Sequence, residues 1–244
     1  LLSAGHRIKT RASGTSRTAR VEGSGMNINA FIFDLDGVIT DTAVYHYQAW
    51  KRVADKLGVR FNENDNEALK GVSRRDSLLY IAGKAERELD ESELNRLMYE
   101  KNEDYKQLIR HITDADIFPG VVRLIKALHA RDMKIGLASA SKNAQTIIDR
   151  LGLSSAFDYI ADAASIANGK PAPDIFLDVM HHFKCRPEEC VGIEDAAAGV
   201  EAIKAAGMFA VGIGSPDTLQ EADMVYADIK SLNLEDVLQR AASA

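Results

Sequence analysis

Two aspartates two residues apart, Asp34 and Asp36, leave the end of an apolar run and are followed at once by Gly37. Ala30 to Phe33 has the aromatic and β-branched character of a strand buried in a parallel sheet. In extended backbone, residues two apart point to one side, so both carboxylates would face the same way. Charge at the carboxyl end of a core strand lies where open α/β sheets bind ligands. Turn and capping chemistry, which Asp and Gly also supply, is the alternative.

Three further segments end in groups that could act with these acids. Ile135-Gly-Leu-Ala-Ser139 closes on a hydroxyl, and Ser141, Lys142 and Asn143 follow where a helix begins, whose free N–H groups favour an anion. Lys170 is set between Gly169 and the prolines Pro171 and Pro173. Val191-Gly-Ile-Glu194-Asp195 closes on adjacent acids ahead of Ala-Ala-Ala-Gly199. Each has its own structural explanation: a helix cap for Ser139, a surface turn for Lys170, first-turn acids facing a helix dipole for Glu194 and Asp195. Together a hydroxyl, an ammonium and two pairs of carboxylates form a set suited to phosphate chemistry.

The elements that must position this set follow from periodicity. Helical spacing runs through Thr42 to Leu57 (Tyr47, Trp50, Val53, Ala54, Leu57), and Ser73-Arg-Arg-Asp76 resembles a capping box that opens a second helix. Ser92 to Ile112 forms the clearest apolar stripe, and Lys101 falls on it, either snorkelling at the core edge or pointing inward at an anion. From Pro119 the pattern alternates: helix 121–128, strand 134–138, helix 143–151, a weak strand at Ile160, helix 174–182, strand 191–193, helix 197–205, strands 209–213 and 224–226, helix 234–241. Such alternation predicts an α/β fold with a doubly wound, Rossmann-like parallel sheet. Helices alone occupy residues 41–115, which predicts an all-helical cap domain inserted into a core made of residues 26–40 and 116–244.

The chain has 244 residues and a formal net charge of −6. Residues 1–25 differ from the rest, with five basic residues, one acid and almost no large apolar side chains. They read as a disordered leader, either vector-derived or upstream-frame sequence or an organellar signal. Setting them aside leaves 25 basic and 35 acidic residues, about −10, which disfavours general nucleic-acid binding. No window approaches the ~18 apolar residues of a membrane span. Two cysteines, Cys185 and Cys190, with no His or Cys cluster beside them, indicate a reducing, cytoplasmic setting rather than a disulfide scaffold.

The order Asp34-x-Asp36, Ser139, Lys170, Glu194-Asp195 resembles the haloacid dehalogenase superfamily of phosphotransferases across residues 27–230. The resemblance implies that Asp34 attacks phosphorus as a nucleophile and that Asp36 is the general acid/base. It also implies Mg²⁺ held by Asp34, Glu194, Asp195 and the main-chain carbonyl of Asp36, with Ser139 and Lys170 on the transferring phosphoryl oxygens. Within the superfamily, Asp34-Leu-Asp-Gly-Val-Ile-Thr-Asp-Thr42 with His46 and Trp50, Lys70-Gly71-Val-Ser-Arg74, Lys101-Asn102 and Ser139-Ala-Ser-Lys-Asn143 are similar to the mutases of β-glucose phosphate. That similarity implies interconversion of β-D-glucose 1-phosphate and glucose 6-phosphate, with β-glucose 1,6-bisphosphate as the activating intermediate. Arg74, Ser141, Lys142 and Asn143 would then hold a second phosphate, Trp50, Lys70, Gly71 and Lys101 would serve the substrate, and Thr42 and His46 would hold Asp36 when the cap closes. The expected partner is a small-molecule sugar phosphate, met by a monomer whose lid must swing. A sugar-phosphate phosphatase is the alternative, and a non-catalytic phosphosugar-binding protein a more distant one. No G-x-G-x-x-G follows the first strand, which sets aside dinucleotide binding.

Overall fold

A computed structural model describes residues 27–244, and the expectation for residues 1–25 lies outside that range. Six strands form one parallel sheet in the order β3-β2-β1-β4-β5-β6: β1 Ala30–Phe33, β2 Lys134–Leu137, β3 Tyr159–Ile160, β4 Cys190–Glu194, β5 Phe209–Ile213 and β6 Met224–Tyr226. The side chains of β1 alternate between two cores. Phe31 and Phe33 pack with Leu124 of α5 (Val121–His129), Ile147 of α6 (Ala144–Arg150) and Val237 of α9 (Leu234–Ala241). Ala30 and Ile32 face Phe176 of α7 (Asp174–Phe183) and Ile203 of α8 (Ala197–Ala205). Helices on both faces explain why every residue of β1, β4 and β5 is buried, and why these strands carry continuous apolar runs up to Glu194.

Four helices stand between β1 and α5: α1 Ala43–Lys56, α2 Glu63–Ala68, α3 Arg74–Lys84 and α4 Glu91–Leu108. They share a separate core built on Trp50, Val53, Leu78, Ile81, Leu94 and Leu97. Periodicity does not disclose α2, because Glu-Asn-Asp-Asn-Glu-Ala has no apolar face. Its start is fixed by polar groups: Asn62 Oδ1 accepts from Asp65 N (3.1 Å) and Asp65 Oδ2 from Asn62 N (2.9 Å), while Asp65 also pairs with Lys84. Ser73 caps α3, accepting from Asp76 N. Helix α4 starts one residue before Ser92, capped by Asp90, and after Leu108 tightens into a 3₁₀ turn over Ile109–His111.

The outgoing and returning connections of this insertion touch. Thr40 forms an antiparallel bridge with Ile117, Phe118 N donates to Ile39 O (2.9 Å), and the Thr40 hydroxyl donates to Asp116 O (2.8 Å).

Candidate active site

The sheet changes direction of travel at β1, which has β2 on one side and β4 on the other. Open α/β sheets leave a crevice at such a point, beyond the carboxyl ends of the strands. Asp34 follows β1, Ser139 follows β2, and Glu194 and Asp195 end and follow β4. Gly37 turns the chain at φ 78°, and a Cβ there would run into the Asp195 carboxylate; at Gly199 it would strike Glu194. Both glycines therefore leave room for acids rather than for turns alone.

Lys170 lies at the centre. Its Nζ donates to Asp34 Oδ1 at 2.7 Å and to Glu194 Oε1 at 2.6 Å, with no exposed side-chain surface. Glu194 Oε2 accepts from the backbone N–H groups of Asp195 (2.7 Å) and Ala196 (2.8 Å). Burial alone would lower Lys170, but Asp34 and Glu194 outweigh it and hold the ammonium above its ordinary range. The acids respond in the opposite sense. Burial, offset by Lys170 and reinforced by Glu194, pushes Asp34 up to about 6. Burial and then the charge of Asp34 push Asp36 to about 8, and burial with the charges of Glu194 and Asp34 does the same to Asp195.

Four crowded carboxyl groups thus face Lys170 and, 3.5 Å from Asp195, Lys70. Asp34, Glu194 and Asp195 each bring an oxygen within 4.8 Å of the others, an all-oxygen donor set that fits a hard divalent cation such as Mg²⁺. Glu194 is already held by three donors, so Asp34 and Asp195 present the freer lone pairs.

The remaining predicted residues divide between the cavity wall and the layer behind it. A cleft of ≈ 860 Å³, counted to its open mouth, is lined by Asp34, Asp36 and Asp195 from the sheet end, by His46, Trp50, Lys70, Gly71, Arg74 and Lys101 from the helical insertion, and by Ser141, Lys142 and Asn143 from the β2–α6 loop. Its lining of acids, cations and amides suits a small polar ligand. Thr42, Ser139, Lys170 and Glu194 are buried behind this wall. The Ser139 hydroxyl accepts from Ser141 N (3.1 Å), and the Ser141 hydroxyl from Asn143 N (3.3 Å), so each fixes the loop that follows.

Lys101 points inward rather than snorkelling. It is 3% exposed, and its Nζ lies 2.9 Å from His46 Nδ1 and 4.7 and 4.6 Å from the ring centres of Trp50 and Tyr105. Burial and then Arg74 lower it to about 7, with Asp36 acting in the other direction. Burial, Lys101 and Arg74 keep His46 well below its usual range, so the imidazole is neutral and Nδ1 can accept from the ammonium.

Two residues of this region went unremarked as site residues in the sequence. The Asn102 carbonyl oxygen accepts from Arg74 Nη2 (2.8 Å) and Asn143 Nδ2 (2.9 Å), joining the insertion to the sheet domain. Tyr105, fully buried, packs its ring against His46 with centroids 4.3 Å apart and planes tilted by 39°. The signal for Tyr105 was position: four residues after Lys101, it shares that residue's face of α4.

The family described as haloacid dehalogenase-like hydrolase matches residues 28–207. A β-phosphoglucomutase from Bacillus subtilis is 47% identical over 85% of this chain and 93% of its own length. The crystal structure of a β-phosphoglucomutase from Clostridium difficile superposes with a TM-score of 0.86 at 45% identity, covering 88% of this chain and 98% of that one. A fructose-1-phosphate phosphatase from Escherichia coli is 34% identical over 75% of this chain and 94% of its own. Sheet order, cavity and sequence meet in one conclusion: the chain belongs to the haloacid dehalogenase-like hydrolases and, among them, stands with the β-phosphoglucomutases.

Proposed function

We propose that this chain interconverts β-D-glucose 1-phosphate and D-glucose 6-phosphate by way of β-glucose 1,6-bisphosphate and a phosphorylated Asp34. One observation carries the proposal. The cavity is lined by Asp34 and Lys70, with Lys170 behind them, and also by Arg74, Lys142 and Asn143, a set that would give it two anion-binding ends. A hydrolase of monophosphates needs the first end alone. A mutase must bind a bisphosphate in either orientation and needs both.

An Asp34 oxygen attacks phosphorus and the bond to the sugar oxygen breaks, leaving an acyl phosphate on Asp34. Asp36, held protonated near neutral pH by burial and by Asp34, gives its proton to the departing oxygen. In the return step Asp36 takes the proton from the other sugar hydroxyl as that oxygen attacks. Lys170 spreads its charge over Asp34 before transfer and over the phosphoryl oxygens during it, with Ser139 beside it. Asp34, Asp195 and the main-chain carbonyl of Asp36, with Glu194, would hold Mg²⁺, which when bound supplies positive charge to the phosphoryl group. Arg74 offers a two-pronged donor to the phosphate that is not reacting. Trp50, Lys70, Gly71 and Lys101 shape the sugar's compartment from the insertion, which as a closing cap keeps water from Asp34. Two free thiols, Cys185 and Cys190, support a cytoplasmic site of action, and a swinging cap favours a monomer.

Phosphorus NMR of β-glucose 1-phosphate with Mg²⁺ and a trace of the 1,6-bisphosphate tests the proposal. Glucose 6-phosphate should accumulate without matching inorganic phosphate. Inorganic phosphate as the main product would assign the chain to the sugar-phosphate phosphatases instead.

A further inference from the structure

Arg74 carries its charge without a carboxylate. Among the described residues no acid pairs with it; burial lowers its pKa, with Tyr105 acting in the other direction. A cation drawn partly out of water is ordinarily matched by an acid. Arg74 is matched by an amide instead: Asn102 Oδ1 accepts from Arg74 Nη2 at 2.8 Å. The same oxygen accepts from Asn143 Nδ2 at 2.9 Å. A guanidinium has no acceptor to offer, so it is the oxygen of Asn102, not its nitrogen, that must face Arg74. The three side chains come from three elements: Arg74 opens α3, Asn102 lies within α4, and Asn143 stands just ahead of α6 in the sheet domain. Arg74 and Asn143 line the cavity, which Asn102 itself does not.

We propose that Asn102 is a positioning residue for the phosphate that is not reacting: its oxygen sets the spacing of Arg74 and Asn143 and, being neutral, leaves the guanidinium charge for the substrate. An acid at this place would make the same two hydrogen bonds, and make them stronger. It would also satisfy Arg74 within the protein and set a negative charge beside the incoming phosphate. A guanidinium has five N–H donors and Asn102 takes one, so donors remain for the anion. One donor belongs to the insertion and the other to the sheet domain, so a single oxygen fixes their separation across the boundary. The inference rests on the proposed function in seating that phosphate at Arg74 and Asn143.

The test sets Asn102→Asp against Asn102→Ala. Aspartate matches asparagine in size and keeps both bonds, whereas alanine removes them and adds no charge. If Asn102 only tied the insertion to the sheet domain, aspartate would serve as well as asparagine and alanine would be the damaging change. The proposal expects the reverse order. Affinity for glucose 6-phosphate with Mg²⁺ is read from the fluorescence of Trp50, the single tryptophan and a residue of the cavity wall. It should fall at least about tenfold in Asn102→Asp and about threefold in Asn102→Ala. The melting temperature of Asn102→Asp should equal or exceed that of the wild type, since an ion pair is gained, and its kcat/KM for β-glucose 1-phosphate should fall mainly through KM. Wild-type affinity in either variant, or a larger loss with alanine than with aspartate, would overturn the proposal. The titrations need no turnover, so a wild-type protein that only releases inorganic phosphate would sink the mutase assignment while the order of the three affinities still decides the role of Asn102.

Discussion

Lys170 and Lys101 are both buried lysines serving one cavity, and they are held by opposite means. Lys170 rests between two carboxylates and is locked in its charged form. Lys101 has no carboxylate within bonding distance; an imidazole nitrogen and two aromatic rings surround it, and burial brings it to about 7. At the sheet end, therefore, the buried cation has its counter-charges within the protein itself. In the helical insertion the buried lysine has only a ring nitrogen and aromatic faces around it. Phosphoryl transfer at fixed strand ends and recognition by a mobile cap need that division.

The comparison can be broken at its strongest point by Asp34→Asn. Loss of the proposed nucleophile should lower turnover by at least about 10⁴-fold and abolish acid-stable incorporation of phosphate, read by intact-protein mass spectrometry. Labelled protein from this variant would show that the sheet end does not work through Asp34. Lys170→Met comes next. It leaves Asp34 and Glu194 facing each other in a dry site, so turnover should fall about 10³-fold and stability by about 3 kcal/mol in urea titration.

The same change at Lys101 should act on stability with the opposite sign. Lys101→Met removes a charge that burial and Arg74 oppose, with His46, Tyr105 and Asp36 the other titratable groups facing it. Stability at pH 7 should therefore rise, on the order of 1–3 kcal/mol, while kcat/KM falls about tenfold through loss of a sugar contact. Between pH 7 and 10.5 the unfolded wild-type chain retains a proton on Lys101 that the folded protein has lost. Stability of the wild type should then climb across that window, and urea midpoints of Lys101→Met should climb less. Equal slopes would remove Lys101 from the comparison. An exposed lysine sets the lower scale: Lys51→Ala breaks a solvent-facing pair with Asp55 and should change stability by no more than about 0.5 kcal/mol.

The sheet end was legible because its chemistry is written at strand ends. Asp34, Ser139, Glu194 and Asp195 each sit where an apolar run stops, and the alternation of strand and helix already implied which ends converge. Lys170 was legible only through the family's order of residues. Nothing local says that a lysine flanked by prolines will lie between Asp34, 136 residues earlier, and Glu194, 24 residues later. The insertion was harder still. The orientation of Lys101 depends on His46 and Trp50 of α1, a packing partner that the stripe on α4 does not encode. Tyr105 lies on the apolar stripe of α4, and its ring packs in the core. Helix α2 escaped because it is specified by a capping box and the Asp65–Lys84 pair rather than by hydrophobic period.

The insertion leaves and re-enters the sheet domain along two segments that are bonded side by side, Ile39 and Thr40 against Asp116, Ile117 and Phe118. A single tether lets a body swivel and wander. Two coupled tethers act as a strap hinge, bending readily about one axis and resisting torsion about the others. The trajectory of closure is thereby narrowed before any substrate contact is made, and the outgoing leaf of the hinge runs directly on from the turn that carries Asp36.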